Sequence, residues 1–257
     1  MSAGGGTTFR KERSDAPDGF FAAEAAGLRW LAEARGVRTA QVVAVESAAI
    51  ELERLQTAGP DRAAARAFGR ALAVTHDAGA LAYGSPPPGV EALFIGARPQ
   101  PAAAEKTWGA FYARDRVLPF LAPAVAAGFL TETEAHVVRE ACAAIARGVF
   151  DDGDVPARLH GDLWHGNVLW TPDGVVLIDP AAHGGHRETD LAMLDLFGCP
   201  FLEDILAGYD ERHPLADGWR DRIPVHQLHP LAVHAAGHGR HYGRAVTDAA
   251  RQTLALV

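Results

Sequence analysis

Arg158-Leu-His-Gly-Asp-Leu-Trp-His-Gly-Asn-Val-Leu-Trp170, followed by Gly174-Val-Val-Leu-Ile-Asp179, is the stretch from which this 257-residue chain is read. An apolar approach enters a polar loop that holds Asp162 and, five positions on, Asn167. Two apolar runs then flank Thr171-Pro-Asp-Gly174, whose turn residues predict a β-hairpin. Such a hairpin brings Asn167 and Asp179 to one end of paired strands although they are distant in sequence. A lone His-Gly-Asp reads as an ordinary turn, with glycine supplying positive φ and aspartate bonding its own backbone. The weight lies in Asp162, Asn167 and Asp179 occurring together in this strand context.

Those residue types suit phosphoryl transfer. The reaction needs a carboxylate to receive the nucleophile's hydroxyl proton, and hard oxygen ligands to hold Mg²⁺ against the phosphates of ATP. Asp162 fits the first role, and Asn167 with Asp179 fits the second.

Upstream, Thr7-Thr-Phe-Arg-Lys11 reads as a short strand, and Asp15-Ala-Pro-Asp18 supplies turn and capping residues before a helix over residues 19–34. Phe21, Ala25, Leu28 and Leu31 fall near one face of that helix. Glu24 lies on it, placed to hold Lys11 as the helix glutamate of a kinase small lobe holds the strand lysine on the α- and β-phosphates. The alternative for Glu24 is a solvated helix residue. Residues 39–45 and 48–53 read as strands. A link through Ala58-Gly-Pro60 into a helix over 61–77 has the form of a hinge, where backbone groups at Glu53 and Leu55 would bind an adenine edge. Two lobes are expected, residues 1–55 and residues 56–257.

Residues 80–100 are rich in Gly and Pro and predict little regular structure. Helices are expected over 107–127, with Trp108, Phe111, Tyr112, Val117 and Leu118 as core. A further helix over 131–150 opens with the capping box Thr131-Glu-Thr-Glu134. Asp190, near the start of a helix after Asp179, is placed either to cap it or to brace the catalytic loop from behind. Residues 201–257 read as further helices.

Composition narrows the classes. The formal net charge is −8 with no basic run, which gives no electrostatic reason for nucleic acid or an anionic membrane. No apolar stretch has spanning length, Met1 to Gly6 has no signal-peptide pattern, and two cysteines make no disulfide framework, so a reduced cytoplasmic setting is expected. Lys11 and Lys106 are the only lysines in an arginine-rich chain. His234, His238 and His241 have helix spacing acceptable for zinc, but no carboxylate or Cys completes a familiar set, and glycines interrupt the helix. His160, His183 and His186 read as hydrogen-bonding loop residues. No nucleophile elbow or P-loop is present.

The chain resembles the fructosamine (ketosamine) 3-kinase family, relatives of aminoglycoside and choline phosphotransferases within the protein-kinase-like fold. The resemblance is carried by Phe9-Arg-Lys11, Phe21-Ala-Ala-Glu-Ala-Ala-Gly27, Phe94-Ile-Gly-Ala-Arg-Pro-Gln100, His160 to Asn167, and Ile178-Asp-Pro180 through Gly185-His-Arg-Glu-Thr-Asp-Leu-Ala-Met193. It implies an α+β, two-lobed fold with a small antiparallel N-lobe sheet and a mainly helical C-lobe. It further implies ATP- and Mg²⁺-dependent phosphorylation of the sugar 3-hydroxyl of ketoamines, small or protein-bound, in deglycation repair. On this resemblance Asp162 is the base, Lys11 and Glu24 the phosphate clamp, Asn167 and Asp179 the metal ligands, and Trp164 and His186 candidate substrate contacts. His160 and Asp190 give structural support. An aminoglycoside- or choline-type phosphotransferase and a nucleotide-binding remnant are the alternatives. The family places two strands and a glycine-containing loop ahead of the lysine strand. Ser2 to Gly6, at about 3.4 Å per residue, is too short to make them, so a shortened N-lobe sheet is expected.

Overall fold

The structure is a computed structural model, and it describes residues 7–257. The expectations placed on the start, a glycine-rich lead and a shortened front, concern residues 1–6 and lie outside the described residues.

A three-stranded antiparallel sheet forms first, with order β1 (Thr8–Glu12), β4 (Ala49–Glu53) and β3 (Val42–Val45). Helix α1 (Phe20–Glu33) covers it, and the predicted face is buried: Phe21, Ala25, Leu28 and Leu31 pack toward Ile50, Leu52 and Val176 or the neighbouring Ala182. The single strand expected over 39–45 is divided. Arg38–Thr39 (β2) pairs in parallel with Val176–Leu177, and only from Val42 does the chain join β4. Its first two residues therefore tie this end of the molecule to the sheet beneath the catalytic loop. That second sheet has the order β2, β9 (Gly174–Leu177) and β8 (Val168–Thr171).

The helical part contains α2 (Arg62–Asp77), α3 (Trp108–Phe111), α4 (Leu121–Ala126), α5 (Glu132–Ala146), α6 (Arg187–Leu196), α7 (Leu202–Arg212), α8 (Ile223–Ala235) and α9 (Arg240–Leu254). Asp61 caps α2 through the Ala64 N–H, and Thr131 with Glu134 forms the expected capping box of α5. Between α3 and α4 the chain is π-helical over Tyr112–Val117 and 3₁₀ over Leu118–Phe120, so the helical stretch expected over 107–127 is continuous in path but changes its pitch. Pro119 has no N–H to extend the ladder there. The change of pitch turns Leu118 to solvent, whereas Trp108, Phe111, Tyr112 and Val117 are core as expected.

Residues 80–100, expected to be irregular, end in a short hairpin of β5 (Leu93–Ile95) and β6 (Arg98–Gln100). The remaining pair is β7 (Ala157–Leu159) with β10 (His183–Gly185). Helices α2 and α7 touch backbone to backbone. A Cβ on Gly69 would lie 1.9 Å from the Ile205 carbonyl oxygen, and one on Gly208 would lie 2.0 Å from that of Arg66. The crossing sets the distance between His76 on α2 and Tyr209 on α7, behind the catalytic loop. Among the described residues no helix is long and apolar enough to cross a membrane.

Candidate active site

The loop between β7 and β8 carries Asp162 and Asn167, and β8 and β9 run from Asn167 back toward Asp179. The hairpin pairs Val168 with Leu177, and the Ile178 N–H donates to the Asn167 carbonyl at 3.2 Å. Both candidate metal ligands therefore sit at one end of the strands. The Asn167 amide nitrogen donates to the Asp162 carbonyl oxygen at 2.8 Å and to its carboxylate at 3.2 Å. The amide oxygen of Asn167 is left for another partner. Asp179 adopts a φ of 53°, a left-handed conformation that a non-glycine residue takes at a cost.

From the facing sheet, Lys11 reaches two carboxylates at once. Its Nζ is 2.9 Å from Glu24 Oε2 and 3.0 Å from Asp179 Oδ1. Burial opposes the ammonium charge, but the two carboxylates outweigh it and raise the Lys11 pKa. Burial raises the Glu24 pKa; Lys11 pulls it back and the charge of Asp179 adds to the rise. Among the described residues Glu24 Oε1 is buried with no hydrogen-bond partner. Asp162 is pushed up to about 7, first by burial and then by the negative charges of Asp179 and Asp190, against the Asn167 hydrogen bond and Lys11.

Asp190 occupies the other side of the loop and is fully buried. One oxygen accepts the Gly161 N–H at 3.0 Å; the other accepts the His160 N–H at 2.8 Å and lies 3.2 Å from His76 Nε2. Burial works against this charge, but these donors, His76 foremost, lower the Asp190 pKa. His160, kept neutral by burial, donates from Nε2 to the Ile178 carbonyl at 2.9 Å and accepts the Asp162 N–H on Nδ1 at 3.3 Å. It thereby ties the catalytic loop to the strand leading into Asp179.

Two cavities meet at Lys11 and Asp179. One, of about 430 Å³, is walled by Phe9, Ala40, Leu52, Leu55, Leu169 and Ile178. The other, of about 340 Å³, holds Glu24, Asp162 and Asn167 beside Phe20, Phe94 and Trp164. The Glu53 side chain does not enter the first cavity as a free group, since it is bonded to Arg38 and the Gln41 N–H. Trp164 lines the second cavity, and its ring lies over Gly166, where a Cβ would be 2.3 Å from it. The sequence reading missed that this tryptophan ring covers the glycine two positions after it. It also missed Phe94, which meets Phe20 edge-on at 5.6 Å and closes the cavity from the β5–β6 hairpin.

His186 lies elsewhere, which corrects its assignment as a substrate contact. It caps α6, is 3% exposed, and lines a different cavity with Asp152 and Asp154. Its Nδ1 accepts the Glu188 N–H, so its proton sits on Nε2 facing the Asp152 carboxylate at 3.3 Å. His186, Glu188 and His226 cluster closely enough to hold a metal. Glu188, however, takes a bidentate pair from Arg222 and a bond from His226, so the cluster is closed by its own ion pairs. His234, His238 and His241 do not share a helix, because α8 ends at Ala235 and α9 begins at Arg240.

The oxygen donors at Asn167 and Asp179, a carboxamide and a carboxylate, suit Mg²⁺ rather than a softer metal.

With this geometry in hand, comparisons with known proteins are specific. The family model described as fructosamine kinase matches residues 1–256. A "probable ketoamine kinase" of Thermus thermophilus is 35% identical over 234 residues, 90% of this chain and 82% of that protein. A crystal structure named a "putative fructosamine-3-kinase" from Thermobifida fusca is 44% identical with a TM-score of 0.89, over 96% of this chain and 85% of that one. An aminoglycoside phosphotransferase at 16% identity and a TM-score of 0.65 shows the shared protein-kinase-like fold.

Proposed function

Because the chain belongs to the fructosamine kinase family, we propose that this kinase transfers the γ-phosphoryl group of ATP to the 3-hydroxyl of a ketoamine sugar. The observation that carries this reading is Lys11, which bridges Glu24 and Asp179 where the two cavities meet. The apolar cavity suits an adenine ring, with backbone groups of Glu53 and Leu55 at its edge. The polar cavity, with Asp162 and Trp164, suits the phosphates and the sugar. Lys11 at the seam would then hold the α- and β-phosphates, oriented by Glu24.

Asp162 receives the proton of the attacking hydroxyl as its oxygen bonds to the γ-phosphorus and ADP departs. Asn167 and Asp179 would hold Mg²⁺, which supplies neutralisation of phosphate charge when bound. The Asn167 amide keeps the Asp162 carboxylate aimed into the cleft. The phosphorylated ketoamine is unstable and loses its sugar, so the reaction serves removal of glycation adducts from free amines or protein lysines.

Phosphorus NMR of the protein with Mg-ATP and ribulosyl- and fructosyl-lysine tests this reading. A new sugar-phosphate resonance is expected, absent with Asp162→Asn. Product only with an aminoglycoside or amino alcohol would replace the acceptor. Thermal stabilisation by Mg-ATP with no product from any acceptor would leave a nucleotide-binding protein and sink the kinase reading.

A further inference from the structure

We propose that His76 and Tyr209 are positioning residues for the catalytic loop, acting on Asp162 through Asp190. The proposal rests on Asp162 being the base. It concerns two side chains that sequence reading passed over, on helices whose distance from the loop along the chain conceals them.

The Asp190 carboxylate stands between His76 and the catalytic loop. It is fully buried, and both its oxygens accept: one from Gly161 N–H, the other from His160 N–H. Those two amides immediately precede Asp162, so their anchorage sets where its backbone and carboxylate stand. A protonated Asp190 would turn an O–H toward an amide N–H and lose part of that hold. An ionised carboxylate this deep needs further donors. His76, itself buried, provides one at 3.2 Å.

Imidazole with its proton on Nε2 and imidazolium both donate from Nε2, and Tyr209 holds the His76 ring from its Nδ1 side. The Tyr209 hydroxyl lies 2.8 Å from His76 Nδ1, and the charge of Arg187 acts on that hydroxyl. The phenol gives its proton to Nδ1 of a neutral ring and accepts from Nδ1 of an imidazolium, so it partners His76 in either state. Tyr209, His76 and Asp190 thus stand in one chain of hydrogen bonds, with Arg187 beside its far end. Arg187 is held in turn by Asp154 at 2.6 Å and Asp77 at 3.2 Å. The close crossing of α2 and α7 at Gly69 and Gly208 delivers His76 and Tyr209 to this spacing. No member of the chain lines either cavity, so its effect on catalysis must pass through the loop.

The test uses the full-length protein with Mg-ATP and its ketoamine acceptor. His76→Leu removes the donor and keeps an apolar volume, whereas the Nε2 of His76→Gln can reach the place of the imidazole Nε2. Expected for His76→Leu is a kcat lower by ~10–100-fold with KM for ATP within about twofold, since small misplacement of a base has effects of this size. His76→Gln should recover to within ~3-fold of the parent, and Tyr209→Phe should lose ~3–10-fold. Amide hydrogen exchange at His160 and Gly161 should quicken in His76→Leu and return toward the parent rate in His76→Gln. Equal losses in Leu and Gln, or unchanged exchange at both amides, would overturn the proposal. If His76→Leu does not fold, Tyr209→Phe decides, and parental kcat and exchange there would also overturn it. A parent protein without turnover would remove the base assignment, while the exchange comparison would still decide whether His76 holds the loop.

Discussion

The front and back of the catalytic loop present two aspartates with opposite proton affinities. Asp162, facing the cleft, accepts one side-chain hydrogen bond and lies near two other carboxylates, and its pKa is pushed up to about 7. Asp190 is buried more deeply, yet its pKa is lowered because two backbone amides and His76 donate to it. Burial raises both, so the donors decide the difference. The front is arranged to exchange a proton, and the back to hold a charge that does not change.

The largest effects should come from erasing each carboxylate, and their signs on stability should differ. Asp162→Asn should lower turnover by roughly 10²–10⁴-fold, the usual contribution of a general base, with ATP binding kept. The same variant removes a half-buried charge with little to satisfy it. At pH 8 its melting temperature should rise, by roughly 2–4 °C for each ~1 kcal/mol relieved. A fall in melting temperature would mean that the charge is better compensated than its surroundings indicate. Asp190→Ala should act in the opposite sense, since it strands two buried amides and a histidine. A loss on the order of 2–4 kcal/mol is expected, read from chemical denaturation. A stable Asp190→Ala protein with parental turnover would erase the distinction between front and back.

Next in size is the pH dependence. Asp162 has a folded pKa above its unfolded value, so turnover should fall about tenfold per pH unit below about 7 as the base becomes protonated. For stability, its favourable contribution is present below the unfolded carboxylate range and is lost as pH rises through about 7. Asp190 has a lowered folded pKa; its contribution is present above the unfolded range and is lost only as pH falls through that folded value. A pH–rate profile of kcat/KM and melting curves between pH 5 and pH 9 would separate the two. In Asp162→Asn the decline of stability with rising pH should flatten. An unflattened decline would place the titration on another group.

The front of the loop was legible in the sequence because its information is local. Asp162, Asn167 and Asp179 are joined by one hairpin, and Lys11 with Glu24 by one strand and helix, so spacing alone brought them together. At the back, Asp190 was legible as a brace, but its partners were not. His76 reaches Asp190 across 114 residues of sequence and Tyr209 across 133, and no periodic pattern in α2 or α7 marks them. Partner choice was hidden for a similar reason. Residues 39–45 are β-rich, but composition does not say that Arg38–Thr39 joins β9 and the chain from Val42 joins β4. The β5–β6 hairpin escaped because its strands have three residues each and one contains Pro99, too little for a period-2 signal. His186 was misplaced because a sequence motif gives membership, not direction: its ring points to Asp152, away from the cleft.

The smallest expected effect sharpens the same contrast, using one substitution on each side. At Gly166 a Cβ would meet the far end of the Trp164 ring, which is 37% exposed and has room to swing outward. Gly166→Ala should therefore cost less than ~1 kcal/mol, a melting shift within ~2–4 °C. Its effect should appear instead as a higher KM for the ketoamine, with a smaller change in KM for ATP, because the displaced ring borders the cavity proposed for the sugar and not the one proposed for the adenine. At Gly208 the added atom would meet the Arg66 carbonyl, backbone that cannot turn aside without parting α2 from α7. Gly208→Ala should thus lower stability more than Gly166→Ala and reduce kcat through the His76–Tyr209 spacing. If Gly166→Ala were the more destabilising of the two, the cleft side of the loop would be the rigid one, and the placing of Asp162 would have to be sought in Trp164 rather than in Asp190.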